Sequence, residues 1–430
     1  MIMTRSSNLP SPDPVSRRSF LRGSAAAGAA TFTIIKPELV RGQGKEKLRA
    51  GVIGVGGRGR QACNDLLTAD PTAEVVAMAD VFEDKLEQNL RWLKSDPRNA
   101  KIADRVKVDA EHRFVGFDSY KKLLASDIDI VMLCTPPGYR PAHFEAAVAA
   151  KKHVFCEKPF GTDPVGVRRF MEAAKKSEEL KLTVVSGAQR RFARDYMETI
   201  DKIKTGVIGE VTAAYAYWVG TPVIQQKARD PKWGDMTWQH RNWYSYVWIC
   251  GDQVVEQHLH NIDVINWVMG THPISVVATG GAVWRPKEDL YGNIYDHISA
   301  DFVYPNGVHM SSYCRQFEGK TYRNVSELVI GTRGRSNCHD LGTASENPYM
   351  LEHRAMVASI RGDGPYINHA MPVAESTMAC IMARESAYSG VEVTWEMIMN
   401  SKQDLQPKAF GYDEKMTVPP LPVPGKYIFS

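Results

Sequence analysis

The sequence predicts an α/β protein in two main parts: an N-terminal doubly wound parallel sheet, then an α+β domain with a large, mostly antiparallel sheet. Three observations predict it. A short apolar strand at 48–53 runs directly into a glycine-rich turn and a helix at 60–68. The same strand–helix alternation returns at 74–79, 128–133 and 152–156, as a parallel sheet requires. Beyond residue 275 the pattern changes to strands at 276–281, 297–304, 308–315 and 325–331, broken by Gly334 and by Asn306-Gly307, a strong hairpin signal.

At roughly 100–200 residues per domain, 430 residues suggest two or three domains. Hydrophobic residues at 43% and charged residues at 24% belong to a globular chain rather than a disordered or membrane-embedded one. A net charge of +4 is small for this length, and no later stretch forms a basic arm, so nucleic acid is not an expected partner. The seven cysteines are scattered, with no CxxC pair and no zinc-ligand spacing. They read as small buried apolar residues, and no metal site is expected.

Residues 1–45 read as an export signal and linker rather than fold. Ser16-Arg17-Arg18-Ser19-Phe20-Leu21-Arg22 precedes a short Ala/Gly/Thr-rich apolar run at 23–35. Charge ahead of a short, weakly hydrophobic segment is signal-peptide grammar, and the adjacent arginines followed by Phe-Leu resemble a twin-arginine signal. No later stretch reaches membrane-spanning length, so the expected location is the periplasm, with no membrane contact beyond the signal.

The glycine turn, Gly54-Val55-Gly56-Gly57-Arg58-Gly59, matches G-x-G-x-x-G between a strand and a helix, the context a dinucleotide site needs. Gly54 permits the tight turn, Gly56 lets the backbone approach a pyrophosphate, and Gly59 lets helix and strand pack closely. The helix N-terminus offers free N–H groups to phosphate. Asp80 closes the next strand, where an acid bonds the ribose hydroxyls; it favours NAD over NADP, a preference that Arg58 could soften. The third strand ends in Thr135-Pro136-Pro137, again where ligands collect in such sheets. The fourth ends in Cys156-Glu157-Lys158-Pro159; Pro159 keeps Lys158 out of the α region, so the lysine projects from a turn.

These elements together (the glycine turn, Thr135-Pro136, His143 and Glu157-Lys158-Pro159, in this order and spacing) resemble the Gfo/Idh/MocA family of sugar oxidoreductases over about residues 48 to 400. The resemblance implies a Rossmann domain at 46–170 and a substrate and oligomerisation domain at 171–345. Residues 346–430 are expected to return helices (374–388) to the first domain and to end in a Pro-rich arm at 407–424. It also implies bound NAD(P), of which Asp80 makes NAD the expected one, and a lysine beside the reacting carbon. The cofactor set is then Gly54, Gly56, Gly57, Arg58, Gly59, Asp80, Thr135, Pro136, His143, Glu157 and Lys158.

The other half of the site is expected in three places. Arg190 and Arg191 follow a strand at 182–186, a junction that lines the substrate cleft in the family. Glu256, His260 and Asp263 are spaced four and three apart and can share one helix face, where a carboxylate orients an imidazole and raises its basicity. The family's second motif makes His260 the general base and Glu256 the stand-in for a more usual Asp; His258 falls where a small Gly is common. Finally, an aromatic run from Trp233 to Trp248 suits the apolar faces and hydroxyl edges of sugars, with Arg241 and Tyr244 its preferred members.

The catalytic set is therefore Lys158, His260 and Glu256; the substrate set is Arg190, Arg191, Arg241, Tyr244, His258 and Asp263. The resulting expectation is hydride transfer from a CH–OH group of a sugar-like substrate to tightly bound NAD, in a homodimer or homotetramer built through the second sheet. An NAD-dependent glycosidase, working by transient oxidation, elimination and re-reduction, is the second reading. A non-catalytic sugar- or NAD-binding protein is the third.

Overall fold

The structure is a computed structural model, and it describes residues 44–223, 226–285 and 291–430. The arginine pair and apolar run of the signal lie outside the described residues. Six strands form the first sheet: β1 (Arg49–Ile53), β2 (Glu74–Asp80), β3 (Arg113–Val115), β4 (Ile130–Leu133), β5 (His153–Cys156) and β6 (Val184–Ser186). All pair in parallel, in the order β3-β2-β1-β4-β5-β6. Strands β1, β4 and β5 are nearly continuous runs of buried apolar residues, as sheets covered on both faces require. The strand order reverses between β1 and β4. A crevice therefore opens beyond their carboxyl ends, at Gly54 and Cys134-Thr135.

On one side, Phe144 of helix Arg140–Ala149 and Phe160 both stack on Phe170 of helix Pro164–Glu179, with ring centroids 4.0 and 4.3 Å apart. On the other, Met356, Val357 and Ile360 of helix Pro348–Arg361 share a core with Leu48, Ala50 and Val52.

The second sheet has seven strands: β7 (Val211–Gly220), β8 (Ser275–Gly281), β9 (His297–Val303), β10 (His309–Gln316), β11 (Asn324–Gly331), β12 (Gly334–Ser336) and β13 (Val393–Thr394). Their order is β12-β11-β7-β10-β9-β8-β13, antiparallel except between β7 and β10. Strand β7, near the centre, has no counterpart in the sequence reading. Its inward residues are the small Ala214 and Ala216, while the large Tyr215 and Tyr217 point away from the core. That alternation is the inverse of a half-buried strand's usual pattern.

The stretch expected as one helix is two. Gln253–Glu256 ends after a single turn and Leu259–Met269 begins anew. The break re-aims Glu256 relative to His260, and the site depends on it. Among the described residues no helix is long and apolar enough to cross a membrane.

Candidate active site

A cleft of about 750 Å³ opens at the switch point of the first sheet, walled on its far side by residues of the second part of the chain. Its floor is the glycine loop. Gly54 has φ +86°, and a Cβ there would sit 2.7 Å from the Thr135 amide nitrogen. A Cβ at Gly59 would come within 2.0 Å of the Gly54 carbonyl oxygen, so only glycine lets helix Gly57–Ala69 start so close to β1. At Gly56 and Gly57 an added Cβ would meet nothing within 4 Å, and no side chain caps the first turn. Bare backbone amides thus border the cleft, an arrangement fit for a pyrophosphate.

Asp80 stands at the carboxyl end of β2. Its oxygens accept from the amides of Val55 (2.7 Å) and Phe82 (2.9 Å). Burial pushes its carboxyl above the usual range, and the two amides pull it back only in part. Each oxygen keeps a lone pair for a ribose hydroxyl. His143 is buried behind Thr135, its Nδ1 3.5 Å from the hydroxyl oxygen and its ring over Tyr120. Burial, then Arg140 and Arg169, lowers its pKa to about 3, so it borders the cleft as a neutral imidazole at pH 7.

Arg58 borders the cleft but is engaged beneath it. Its guanidinium donates to Glu157, to Asp65 at 3.2 Å and to Glu352 at 3.1 Å. Burial opposes the charge, but Glu157 and Glu352 outweigh it and raise the Arg58 pKa. The role expected of Arg58, softening discrimination at the ribose, is replaced by one of tying the glycine loop to the Glu157-Lys158 turn. Gly187 makes room for this: a Cβ there would lie 2.5 Å from Glu157 Oε2.

Opposite the loop, Lys158 Nζ donates to the Glu256 carbonyl and, at 3.0 Å, to Glu256 Oε1. The Tyr244 hydroxyl donates to Glu256 Oε2 at 2.9 Å. Burial, then Glu256, raises the Tyr244 pKa well above 10, so the phenol stays protonated. Glu256 therefore grips Lys158 and Tyr244 rather than orienting His260, a correction that follows from the helix break. His260 lies against Trp218 of β7, with ring centroids 5.7 Å apart, and its buried Nδ1 has no hydrogen-bond partner among the described residues. Burial, then Lys158 and Arg190, holds its pKa well below 6.5, the reverse of the raised basicity expected.

Lys158, Glu256, His260 and Tyr244 thus border one cleft with the glycine loop, Asp80, Thr135 and Pro136. Four expected substrate residues do not border it. Arg190 is paired with the buried Glu327. Arg191 makes two 2.8 Å bonds to Asp263, which also accepts from Ser376. His258 is fully buried, 2.7 Å from the Ser312 hydroxyl. Each is satisfied by a partner remote in sequence. Arg241 borders the cleft at the β2 end, paired with Asp84, rather than beside Lys158. Sequence reasoning missed Trp218, Gln189, Gln257 and the aromatic wall of Phe82, Phe117 and Tyr139. Of these Phe82, two residues past Asp80, Gln189, in the junction before Arg190, and Gln257, next to Glu256, had a positional signal. Among the described residues no group of three His, Cys, Asp or Glu side chains could hold a metal ion.

Two family models match the chain: an oxidoreductase family with an NAD-binding Rossmann fold at residues 48–185, and the GFO/IDH/MocA C-terminal domain at 196–336. The chain belongs to the Gfo/Idh/MocA oxidoreductase family. A twin-arginine translocation pathway signal sequence matches residues 14–33. Among individual relatives, the chain is 25% identical over 236 residues to myo-inositol 2-dehydrogenase of Thermotoga maritima, covering 55% of this chain and 59% of that protein. It is 28% identical over 235 residues to inositol 2-dehydrogenase of Acidothermus cellulolyticus, covering 54% and 57%. The chain therefore spans somewhat over half the length of the curated relatives it matches. Scyllo-inositol dehydrogenase from Lactobacillus casei, solved with NAD(H) and scyllo-inositol, has a TM-score of 0.61 at 20% identity, covering 81% of this chain and 99% of that one. Aldose-aldose oxidoreductase from Caulobacter crescentus, complexed with glycerol, gives 0.60 at 16%, with the same coverage. At these identities the structural likeness speaks for the fold.

Proposed function

We propose that this protein is an NAD-dependent oxidoreductase that takes a hydride from a CH–OH group of a sugar or cyclic polyol. The observation that carries the reading is the convergence of Lys158, His260 and the Glu256–Tyr244 pair on the cleft that holds the glycine loop. The loop amides and Asp80 would hold the dinucleotide, whose nicotinamide supplies the hydride acceptor. The neutral His260 imidazole accepts the hydroxyl proton. Lys158 donates a hydrogen bond to the same oxygen, and Glu256 fixes the ammonium in place. Trp218, Trp243 and Tyr244 give the ring an apolar wall beside polar groups. The inositol dehydrogenases among the relatives support a polyhydroxylated ring as substrate.

The test is mass spectrometry of the dinucleotide that remains bound after native purification, followed by a polyol and aldose screen read at the reduced-nicotinamide absorbance band. Protein that neither retains nor takes up dinucleotide would refute the reading. The export signal also favours chemistry that resets its own cofactor. Aglycone release from glycosides, without net reduction of added NAD, would therefore replace simple oxidation with the glycosidase cycle.

Asp80 sets the choice of NAD in this reading. Asp80→Ala should weaken NAD binding relative to NADP; equal loss of both, in a titration of apo protein, would show that the ribose acid lies elsewhere. The periplasm is the proposed location. Changing Arg17 and Arg18 to Lys should trap the chain in the cytoplasm, and unchanged fractionation would count against it. Tyr217 stacks on Tyr313 at 5.5 Å and on Tyr215 at 6.4 Å on the outer face of the second sheet, where Tyr313 is exposed. That face is the proposed contact in a homodimer or homotetramer, to be checked by light scattering.

A further inference from the structure

We infer that helix Asp235–Arg241, with the C-terminal segment packed behind it, is a latch over the adenosine half of the bound dinucleotide, fastened by the ion pair of Arg241 with Asp84. The inference rests on the dinucleotide reading above. Asp80 ends β2 and Val81 and Phe82 follow it, and Gly116 and Phe117 follow β3; together they border the end of the cleft where the adenosine ribose would be held. Arg241 reaches this end from the second half of the chain. Its two terminal nitrogens donate to the two oxygens of Asp84, at 3.0 and 2.9 Å, and its guanidinium lies 4.0 Å from the Phe82 ring centroid. Trp233 packs against the same guanidinium, at 5.0 Å. An exposed ion pair contributes little by itself. This one is two-pronged, stacked on two aromatic faces, and its arginine side chain is only 15% exposed.

The helix is braced from outside. Thr237 Oγ1 donates to the Tyr412 carbonyl at 2.7 Å, the Met236 amide to that of Glu414 at 3.2 Å, and the Met416 amide to Asp235 Oδ2 at 3.2 Å. The same segment reaches back to the first sheet, where the Tyr412 hydroxyl donates to the Val81 carbonyl at 2.6 Å. Helix and segment thus grip the β2 end at two separate points, Asp84 and Val81. A dinucleotide seated on Asp80 leaves by this end only after the Arg241–Asp84 pair parts. Slow release suits a protein carried out of the cytoplasm folded, away from a supply of free cofactor.

The test uses the full chain purified with its dinucleotide and chased with isotopically labelled NAD, the bound fraction being followed by mass spectrometry. Asp84→Asn and Arg241→Ala should each exchange about tenfold faster than the parent, the scale expected for losing a stacked, two-pronged charge pair. Arg241→Lys, which keeps the charge but not the fork, should fall between. Asp84 is largely exposed, so its variant reports even where Arg241→Ala fails to fold. Equal exchange rates in parent and Asp84→Asn would overturn the latch and leave the dinucleotide reading standing. A parent that neither carries nor takes up dinucleotide would overturn both.

Discussion

Replacing Lys158 by alanine is expected to slow turnover by about 10²–10⁴-fold, the usual worth of positioned proton-transfer help, while bound dinucleotide and melting temperature change little. Lys158 leaves a turn at the end of β5, and its side chain is 11% exposed on the cleft wall. Truncation leaves Glu256 with its bond from Tyr244, so no carboxylate is stranded without a donor. The same geometry makes a second claim. Because Glu256 holds Lys158 rather than His260, Glu256→Gln should resemble a mild lysine variant. Combining it with Lys158→Ala should cost little beyond the single change, since both act through one ammonium. Steady-state rates on the best polyol, for the two singles and the double, decide it. Near-parent turnover in Lys158→Ala removes the lysine from the chemistry, and full additivity in the double mutant would mean that Glu256 acts independently.

The first sheet was legible because its signals are local. Gly54, Gly56 and Gly59 carry their reasons in the turn itself: one left-handed backbone, one open approach, one close contact. Asp80 and Lys158 sit at strand ends that the apolar runs already mark. The second half was legible only where turns announce strands. Strand β7 buries alanine and exposes tyrosine, so its pattern points the wrong way. Its parallel pairing with β10 joins residues close to a hundred positions apart. The site shows the same division. Which residues approach the cleft from the glycine loop followed from spacing. Whether Arg190, Arg191 and His258 were free to approach it depended on Glu327, Asp263 and Ser312, which no spacing rule connects to them. The Glu256–His260 pairing failed for a local reason: a helix of one turn ends before His258, and a four-residue interval means a shared face only on an unbroken helix.

His260→Ala is expected to lose a comparable factor, about 10²–10⁴ in turnover, and also to change how the rate depends on pH. In the parent, burial first, then the charges of Lys158 and Arg190, hold the imidazole pKa well below 6.5. The neutral form, which alone can accept the hydroxyl proton, therefore prevails at pH 7. The parent rate should be level through neutrality and fall only as acid titrates His260, well below pH 6.5. His260→Ala should lack that acid limb in whatever rate remains. Lys158→Met supplies the complementary sign. Removing a nearby positive charge eases protonation of the imidazole, so the acid limb of its residual activity should move to higher pH. Stability follows the same linkage. A histidine kept neutral in the fold, but titrating near 6.5 when unfolded, stabilises the protein above that pH and loses its contribution as pH falls below it. Alanine at 260 should make the melting temperature less sensitive to acid. Because the ring also packs on Trp218, His260→Asn is the companion variant, filling part of the space without a base. An acid limb that survives unchanged in both variants would assign the proton to another group. Collapse of the fold in both would make His260 a packing residue and leave the hydroxyl proton without its acceptor.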